Sequence, residues 1–311
     1  MSRATTVAVV QAAPCYLDLD ESMRRAESLV RQAADRGAQL VAFGETWLAG
    51  YPAWLDHCPG VALWDDHATK QVFARLRKSS ILVPGVETER LGALASDLGI
   101  VIVIGANERV ETGAGNGTLY NALLVFDPDA GACVIHHRKL VPTHGERLVW
   151  GPGDGAGLVT RATRAGRVGG LVCWEHWMPL ARQALHVAGE EIHVAMWPAV
   201  GEAHQIASRH YAFEGRCFVL AAGLLMRASD LPCELPRPDV ADDALLLRGG
   251  SAIIAPNGNY VVKPVFDREE ILIAEIDLDE IDGERMTLDV SGHYARPDVF
   301  DFGVRPSPRR E

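Results

Sequence analysis

Short apolar runs closed by glycine, proline or acidic residues punctuate this chain, and between them lie stretches whose apolar side chains recur at helical spacing. Residues 6–11 read as a first strand. Leu17-Asp-Leu-Asp-Glu21 then supplies capping and early acidic residues for a helix over 19–36, with Met23, Ala26, Leu29 and Val30 on its apolar face and Gly37 as its stop. A short strand over 40–43 ends at Gly44-Glu45, and a second helix precedes Gly99 and a strand over 100–105. Residues 119–126 and 134–138 predict a hairpin about Asp127-Pro-Asp-Ala-Gly131. Apolar runs at 168–172, 192–197 and 217–225 continue the series. A further hairpin, 250–255 with 261–264, turns at Asn257-Gly258, and 271–276 closes the sheet region. Strands alternate with helices early and pair as hairpins late, so the class is α/β, with mixed sheet covered by helices.

Composition narrows the function classes. The chain has 311 residues, enough for a sizeable core, and neither an internal repeat nor an evident linker divides it. Its formal net charge of -11 argues against nucleic acid as a partner, which demands a basic face. No apolar run is long enough to span a bilayer, and the run at Val7 is too brief for a secretory signal, so the expectation is a cytoplasmic protein without a membrane partner. Six cysteines are scattered without close pairing, which fits neither a disulfide scaffold nor a C-x-x-C metal or redox motif. The tail Arg305-Pro-Ser-Pro-Arg-Arg-Glu311 reads as disordered.

Candidate chemistry gathers where strands end. The run Gly170-Leu-Val172 leads straight into Cys173, and a helix begins near Pro179; a thiol close to a helix N-terminus has its thiolate form favoured. A nucleophilic thiol needs a base and a source of positive charge. Glu45 follows one strand and Lys139 another, so three reactive side chains leaving three strands can converge along one sheet rim. By residue type alone each has a bland reading: a buried small hydrophobe for Cys173, a solvated carboxylate for Glu45, a surface charge for Lys139. His176 makes a Cys-x-x-His spacing with Cys173, but without a second ligand cluster it reads as a packing or hydrogen-bonding residue. His136 and His137 fall on opposite faces of their strand and so do not share a metal. Neither Gly113-Ala-Gly-Asn-Gly117 nor Gly151-Pro-Gly-Asp-Gly155 joins a strand to a helix with dinucleotide spacing; both read as turns.

Three blocks, Phe43-Gly-Glu-Thr-Trp-Leu-Ala-Gly-Tyr-Pro52, His137-Arg-Lys-Leu-Val-Pro-Thr143 and Cys173-Trp-Glu-His176, resemble the signature blocks of the nitrilase, or carbon–nitrogen hydrolase, superfamily. Gly105-Ala-Asn-Glu-Arg109, Gly145-Glu-Arg-Leu-Val-Trp-Gly-Pro-Gly-Asp-Gly155 and Gly292-His-Tyr-Ala-Arg-Pro-Asp298 agree, and Cys-Trp-Glu-His resembles the true nitrilase branch most. The resemblance implies a four-layer αββα sandwich of mixed sheets covered by helices, with 1–302 as one domain and 303–311 as the short disordered tail. It implies Glu45, Lys139 and Cys173 as catalytic trio, with Glu146 beside them orienting Lys139; by type Glu146 is equally a salt-bridged buried acid. Glu45 would act as base and then as acid toward ammonia, Lys139 as a fixed cation, and the Trp174 N–H as a further donor. Trp150 and Trp177 are the expected pocket walls, joined by Tyr51, Trp174 and Trp197. The implied reaction takes a nitrile and water to acid and ammonia through a cysteine thioimidate and thioester, with no metal or organic cofactor. The alternatives are an amidase-like or cyanide-hydrating member, and a catalytically silent binding protein. A homo-oligomer, dimer or higher, is also implied.

Overall fold

The computed structural model describes residues 3–307. Its first half runs β1 (Ala4–Gln11), α1 (Leu19–Asp35), β2 (Leu40–Ala42), α2 (Trp54–His57), α3 (His67–Lys78), α4 (Val86–Leu98), β3 (Val101–Arg109), β4 (Leu119–Asp127) and β5 (Ala132–Arg138). The second half runs β6 (Arg161–Thr163), β7 (Gly166–Val172), α5 (Pro179–Val187), β8 (Ile192–Met196), α6 (Glu202–Gly215), β9 (Phe218–Ala222), β10 (Leu225–Arg227), β11 (Leu245–Ile254), β12 (Tyr260–Phe266), β13 (Glu270–Asp277) and α7 (Glu280–Arg285). One six-stranded sheet has the order β13-β1-β2-β3-β4-β5. The second has the order β10-β11-β9-β8-β7-β6, with β12 paired to β11. In each sheet three central strands are parallel, β1-β2-β3 and β7-β8-β9, and antiparallel strands flank them.

Alternation along these strands builds the layers. Val7, Val9, Val101 and Val103 pack in one core with Leu171 and Val194 of the other sheet, while Ala8, Val10, Ile102 and Ile104 pack with Met23 and Val30 of α1 and Leu91 of α4. A strand buried on both faces is apolar at every position, which is why these segments read as continuous runs. Helices α5 and α6 cover the second sheet through Ala181, Leu185, Ala207 and Tyr211. The result is two sheets face to face with helices outside each, the expected αββα sandwich.

Local signals account for the boundaries. The Asp18 side chain accepts from the Glu21 N–H at the start of α1, and α4 stops at Gly99 in the left-handed conformation. Three differences from the sequence reading stand out. The span before Gly99 holds three helices, α2, α3 and α4, where one was expected. The run 217–225 is broken into β9 and β10, because the chain at Gly223 passes so near Gly249 that a Cβ there would lie 2.5 Å from its carbonyl oxygen. Strand β6, too short to carry a period, adds an edge. Residues 303–307 have no regular secondary structure, with the Arg305 carbonyl close to Gly155; residues 308–311 of the expected tail lie outside the described residues. Among the described residues no helix is long and apolar enough to cross a membrane.

Candidate active site

Three strand ends deliver the site. Glu45 leaves β2 in a turn whose approach to β3 requires glycine: a Cβ on Gly105 would lie 2.4 Å from both the Gly44 oxygen and the Thr46 nitrogen. Lys139 follows β5 directly, its N–H bonded to the Asn121 carbonyl of β4 at 2.8 Å. Cys173 follows β7 and begins a 3-10 turn over Cys173–Trp177. Its φ is +54°, a left-handed conformation that costs a residue with a Cβ about 1–2 kcal/mol and therefore needs support from its surroundings.

The side chains meet in a buried, charge-balanced cluster. Lys139 Nζ donates to Glu45 Oε1 at 3.0 Å and to Glu146 Oε2 at 2.6 Å, and all three residues are nearly sealed from solvent. Asn121 Nδ2 donates to Glu45 Oε1 at 2.6 Å; Tyr51 Oη donates to Glu146 Oε1 at 2.9 Å, and the Thr143 N–H to its Oε2 at 2.7 Å. Ligand atoms of Glu45, Glu146 and Cys173 lie within 4.8 Å of one another. Three such atoms are close enough to surround a cation, and the Lys139 ammonium already supplies that charge. Among the described residues Glu45 Oε2 has no hydrogen-bond partner, which leaves a lone pair for a proton from its surroundings.

Burial sets the protonation states. It pushes the Glu45 carboxyl up to about 7, against the pull of Lys139 and with the help of Glu146. It also pushes the Cys173 thiol up, with Glu45 adding to the rise and Lys139 and the Trp174 N–H opposing it. The thiol is thus protonated at rest, contrary to the thiolate expected from the helix end, because loss of water outweighs the nearby donors. For Lys139 burial works downward, but Glu45, Cys173 and Glu146 outweigh it and hold the ammonium form. A protonated thiol beside a carboxyl that titrates near neutrality is a matched donor and base.

A cavity of about 240 Å³ is lined by Cys173, Glu146, Tyr51, Trp174, Asp56, His57 and His204. Glu45 and Lys139 are not among its lining residues; Lys139 joins Glu45 to Glu146, which does line it.

Comparison with known proteins shows the family of the chain. The family model described as carbon-nitrogen hydrolase matches residues 6–285. The chain is 40% identical over 303 residues to an aliphatic nitrilase of Sinorhizobium fredii, covering 97% of this chain and 96% of that protein. The chain belongs to the carbon–nitrogen hydrolase family. A bifunctional nitrilase/nitrile hydratase of Nicotiana tabacum is 38% identical over 306 residues, covering 96% of this chain and 85% of that protein. The crystal structure of Saccharomyces cerevisiae Nit3, a member of branch 10 of the nitrilase superfamily, matches with a TM-score of 0.72, covering 94% of this chain and 96% of that one; at 20% identity this likeness speaks to the fold.

Within this carbon–nitrogen hydrolase, Glu45, Lys139, Glu146 and Cys173 come together, and Tyr51 and Trp174 line the cavity. The other three tryptophans lie outside that lining. Trp150 is buried and donates to Asn107 Oδ1 at 3.0 Å. Trp197 is sealed in the core, stacked on His176 and donating to Ser208. Trp177 is exposed at 40% and meets Trp174 at a ring separation of 6.4 Å.

Sequence reasoning passed over two supports. Asn107 and Asn121 are cross-strand partners in β3 and β4; Asn121 is a polar residue inside an apolar run, and that interruption was the available signal. Asn107 Nδ2 donates to the carbonyls of Leu48 and Gly50, tying the Glu45 loop to Trp150. Glu175, one residue inside the Cys-Trp-Glu-His block, accepts from the Leu140 N–H at 2.8 Å, the Val172 N–H at 2.7 Å and His137 Nε2 at 3.0 Å. Burial alone would raise its pKa, but His137 and the two N–H groups hold it below the usual carboxylate range. One carboxylate therefore clamps the neighbour of Lys139 to the neighbour of Cys173. His136 turns the other way, onto Glu108.

Proposed function

We propose that this chain hydrolyses an organic nitrile to the carboxylic acid and ammonia, with Cys173 as nucleophile. The observation that carries the reading is the meeting of Glu45, Lys139, Glu146 and Cys173 in one buried cluster whose Cys173 and Glu146 line a cavity, in a chain 40% identical to an aliphatic nitrilase. Glu45 takes the thiol proton as sulfur adds to the nitrile carbon, and the nitrogen receives that proton, giving a thioimidate. Water adds with Glu45 as base, the carbon–nitrogen bond breaks as Glu45 returns a proton to departing ammonia, and a thioester remains. A second water releases the acid and restores the thiol. Lys139 and the Trp174 N–H stabilise the negative charge that develops at nitrogen and then at oxygen. Glu146 holds Lys139 in place. The chain and water supply every group, so the reaction uses no metal or organic cofactor.

Tyr51 and Trp174 are the proposed walls for the substrate's organic part; the cavity of about 240 Å³ suits a small nitrile. Trp150, Trp177 and Trp197 then act by packing. The Nicotiana tabacum relative's name favours a second product: if the tetrahedral species loses sulfur before nitrogen, an amide leaves. In this reading residues 1–302 work as one domain of a cytoplasmic protein. A homo-oligomer is supported by exposed Leu180 and Val187 on α5 and exposed Tyr294 and Phe300 in the C-terminal segment.

The test is ammonia and acid release from a panel of nitriles, amides and cyanide, with intact mass measured during turnover. Acid from nitriles with a transient adduct on Cys173 supports the proposal. Acid from amides alone would make the chain an amidase, formamide from cyanide a cyanide-hydrating enzyme, and no adduct with no ammonia a silent binding protein.

A further inference from the structure

From the Cys173 carbonyl runs a second buried polar chain for which the proposed mechanism has no use. His176 Nδ1 meets the Cys173 carbonyl oxygen at 2.7 Å, and His176 Nε2 meets His193 Nε2 at 2.9 Å. His193 Nδ1 meets Glu190 Oε1 at 2.9 Å, and Tyr211 Oη donates to Glu190 Oε2 at 2.6 Å. His176, His193, Glu190 and Tyr211 are all sealed from solvent. Glu190 fits only because position 169 is glycine: a Cβ there would lie 2.3 Å from its Oε1.

Counting protons limits this chain to two states. A carbonyl oxygen only accepts, so His176 must carry its proton on Nδ1. Its Nε2 is then bare and must receive the Nε2 proton of His193. With both imidazoles neutral, that leaves His193 Nδ1 bare and in need of a donor. Four contacts thus require four protons, whereas two neutral imidazoles and one phenol supply three. A fourth on His193 would make an imidazolium facing a Glu190 carboxylate, with Nδ1 at 2.9 and 3.0 Å from its two oxygens. In a site sealed from water a neutral pair costs less than two buried charges, which favours the proton on Glu190, donating to His193 Nδ1 while Oε2 accepts from Tyr211.

We propose that His176 is a positioning residue for the Cys173 turn, locked in one tautomer through His193 by a protonated Glu190. The strained left-handed residue at Cys173 has its carbonyl pinned by His176, while Glu175 pins the strand before it, so the thiol is held from both ends of the turn. The electrostatics agree. Burial pushes Glu190 up to about 8, with Tyr211 and His186 opposing, and pushes both His176 and His193 well below the usual imidazole value. The other groups facing the chain are Cys217 beside Glu190, Glu175 and Arg182 beside His176, and Glu214 beyond His186. Loss of the Glu190 proton at alkaline pH would leave one contact unmade and release the Cys173 carbonyl. The activity readouts below rest on the nitrilase reading; the tautomers do not.

Two variants and one spectrum test this. Glu190→Gln keeps a donor for His193 and an acceptor for Tyr211, so it should retain kcat within about threefold and weaken the alkaline fall of kcat expected of the parent. Glu190→Leu should lower kcat roughly ten- to a hundredfold with KM far less affected, as misplacement of a nucleophile does. Nitrogen-15 NMR of histidine-labelled protein should show Nδ1–H for His176 and a bare Nδ1 for His193 in the parent and in Glu190→Gln. A proton on His193 Nδ1, or a Glu190→Gln variant as impaired as Glu190→Leu, would overturn the proposal. A parent chain inert toward every nitrile, yet showing these tautomers, would overturn the nitrilase reading and leave this one standing.

Discussion

Two buried glutamates flank Cys173 and face opposite demands. Glu45 sits with a cation: Lys139 bridges it to Glu146, and its carboxyl rises only to about 7. Glu190 sits among neutral groups, two imidazoles and a phenol, and rises to about 8. Burial is the leading cause at both, so the difference lies in the neighbours. A lysine beside the first carboxyl opposes the rise that burial causes. The second has no cation at hydrogen-bond distance among the described residues and, in the proposed state, serves as a hydrogen-bond donor to His193. In the proposed mechanism one carboxyl moves protons and the other holds its own.

The largest test of that contrast is Cys173→Ala, which should abolish turnover by at least about 10⁴-fold, since removing a nucleophile forfeits the covalent route. The fold should survive, because Cys173 contributes only a small buried side chain; matching thermal melts would check this. Next, Lys139→Met should cost roughly 3–5 kcal/mol of stability, because it leaves two buried carboxyls without their counter-charge, and denaturant unfolding would measure it. Loss of less than about 1 kcal/mol would mean that the carboxyls neutralise by taking up protons, erasing the contrast with Glu190.

Glu190 predicts a smaller effect of known sign. Its folded pKa lies above its unfolded value, so the native state holds a proton that the unfolded chain releases. The stability from this group is present in full below the unfolded carboxyl range and is lost as pH rises to about 8. Glu190→Gln, which cannot ionise, should therefore be more stable than the parent at pH 8 and lose that advantage at acid pH, as paired thermal melts would show. The smallest expected effect sharpens the other side. Turnover should rise with pH through about 7 as Glu45 ionises, and Glu146→Gln should move this limb to lower pH, because Glu146 is among the groups that raise Glu45. A limb that stays in place would mean that another group controls it.

Much of this was legible in the sequence. Double-sided burial gave β3 and β9 their apolar runs, and the turn residues at Gly37, Gly99 and Asn257-Gly258 marked where elements stop. Glu45, Lys139 and Cys173 were legible because each lies at or just past the end of a strand, inside a recognisable block. What stayed hidden depended on side chains that meet across long stretches of chain. The three helices before Gly99 blurred into one because their apolar faces are short. The tryptophans clustered in sequence near the reactive residues, but Trp150 and Trp197 turn into the interior to satisfy their N–H groups on Asn107 and Ser208. Glu190 stands beside Glu191 with no sequence signal of its own, and only packing reveals that it lies against Gly169.

The sequence by itself determined the class of fold and the family, and it proposed the reactive side chains, because these rest on local period, turn chemistry and residue type. The tertiary structure alone decided their protonation. Whether a carboxyl is a base, as at Glu45, or a held acid, as at Glu190, depends on which groups from distant strands and helices share its dry surroundings. Sequence spacing carries no record of that distance.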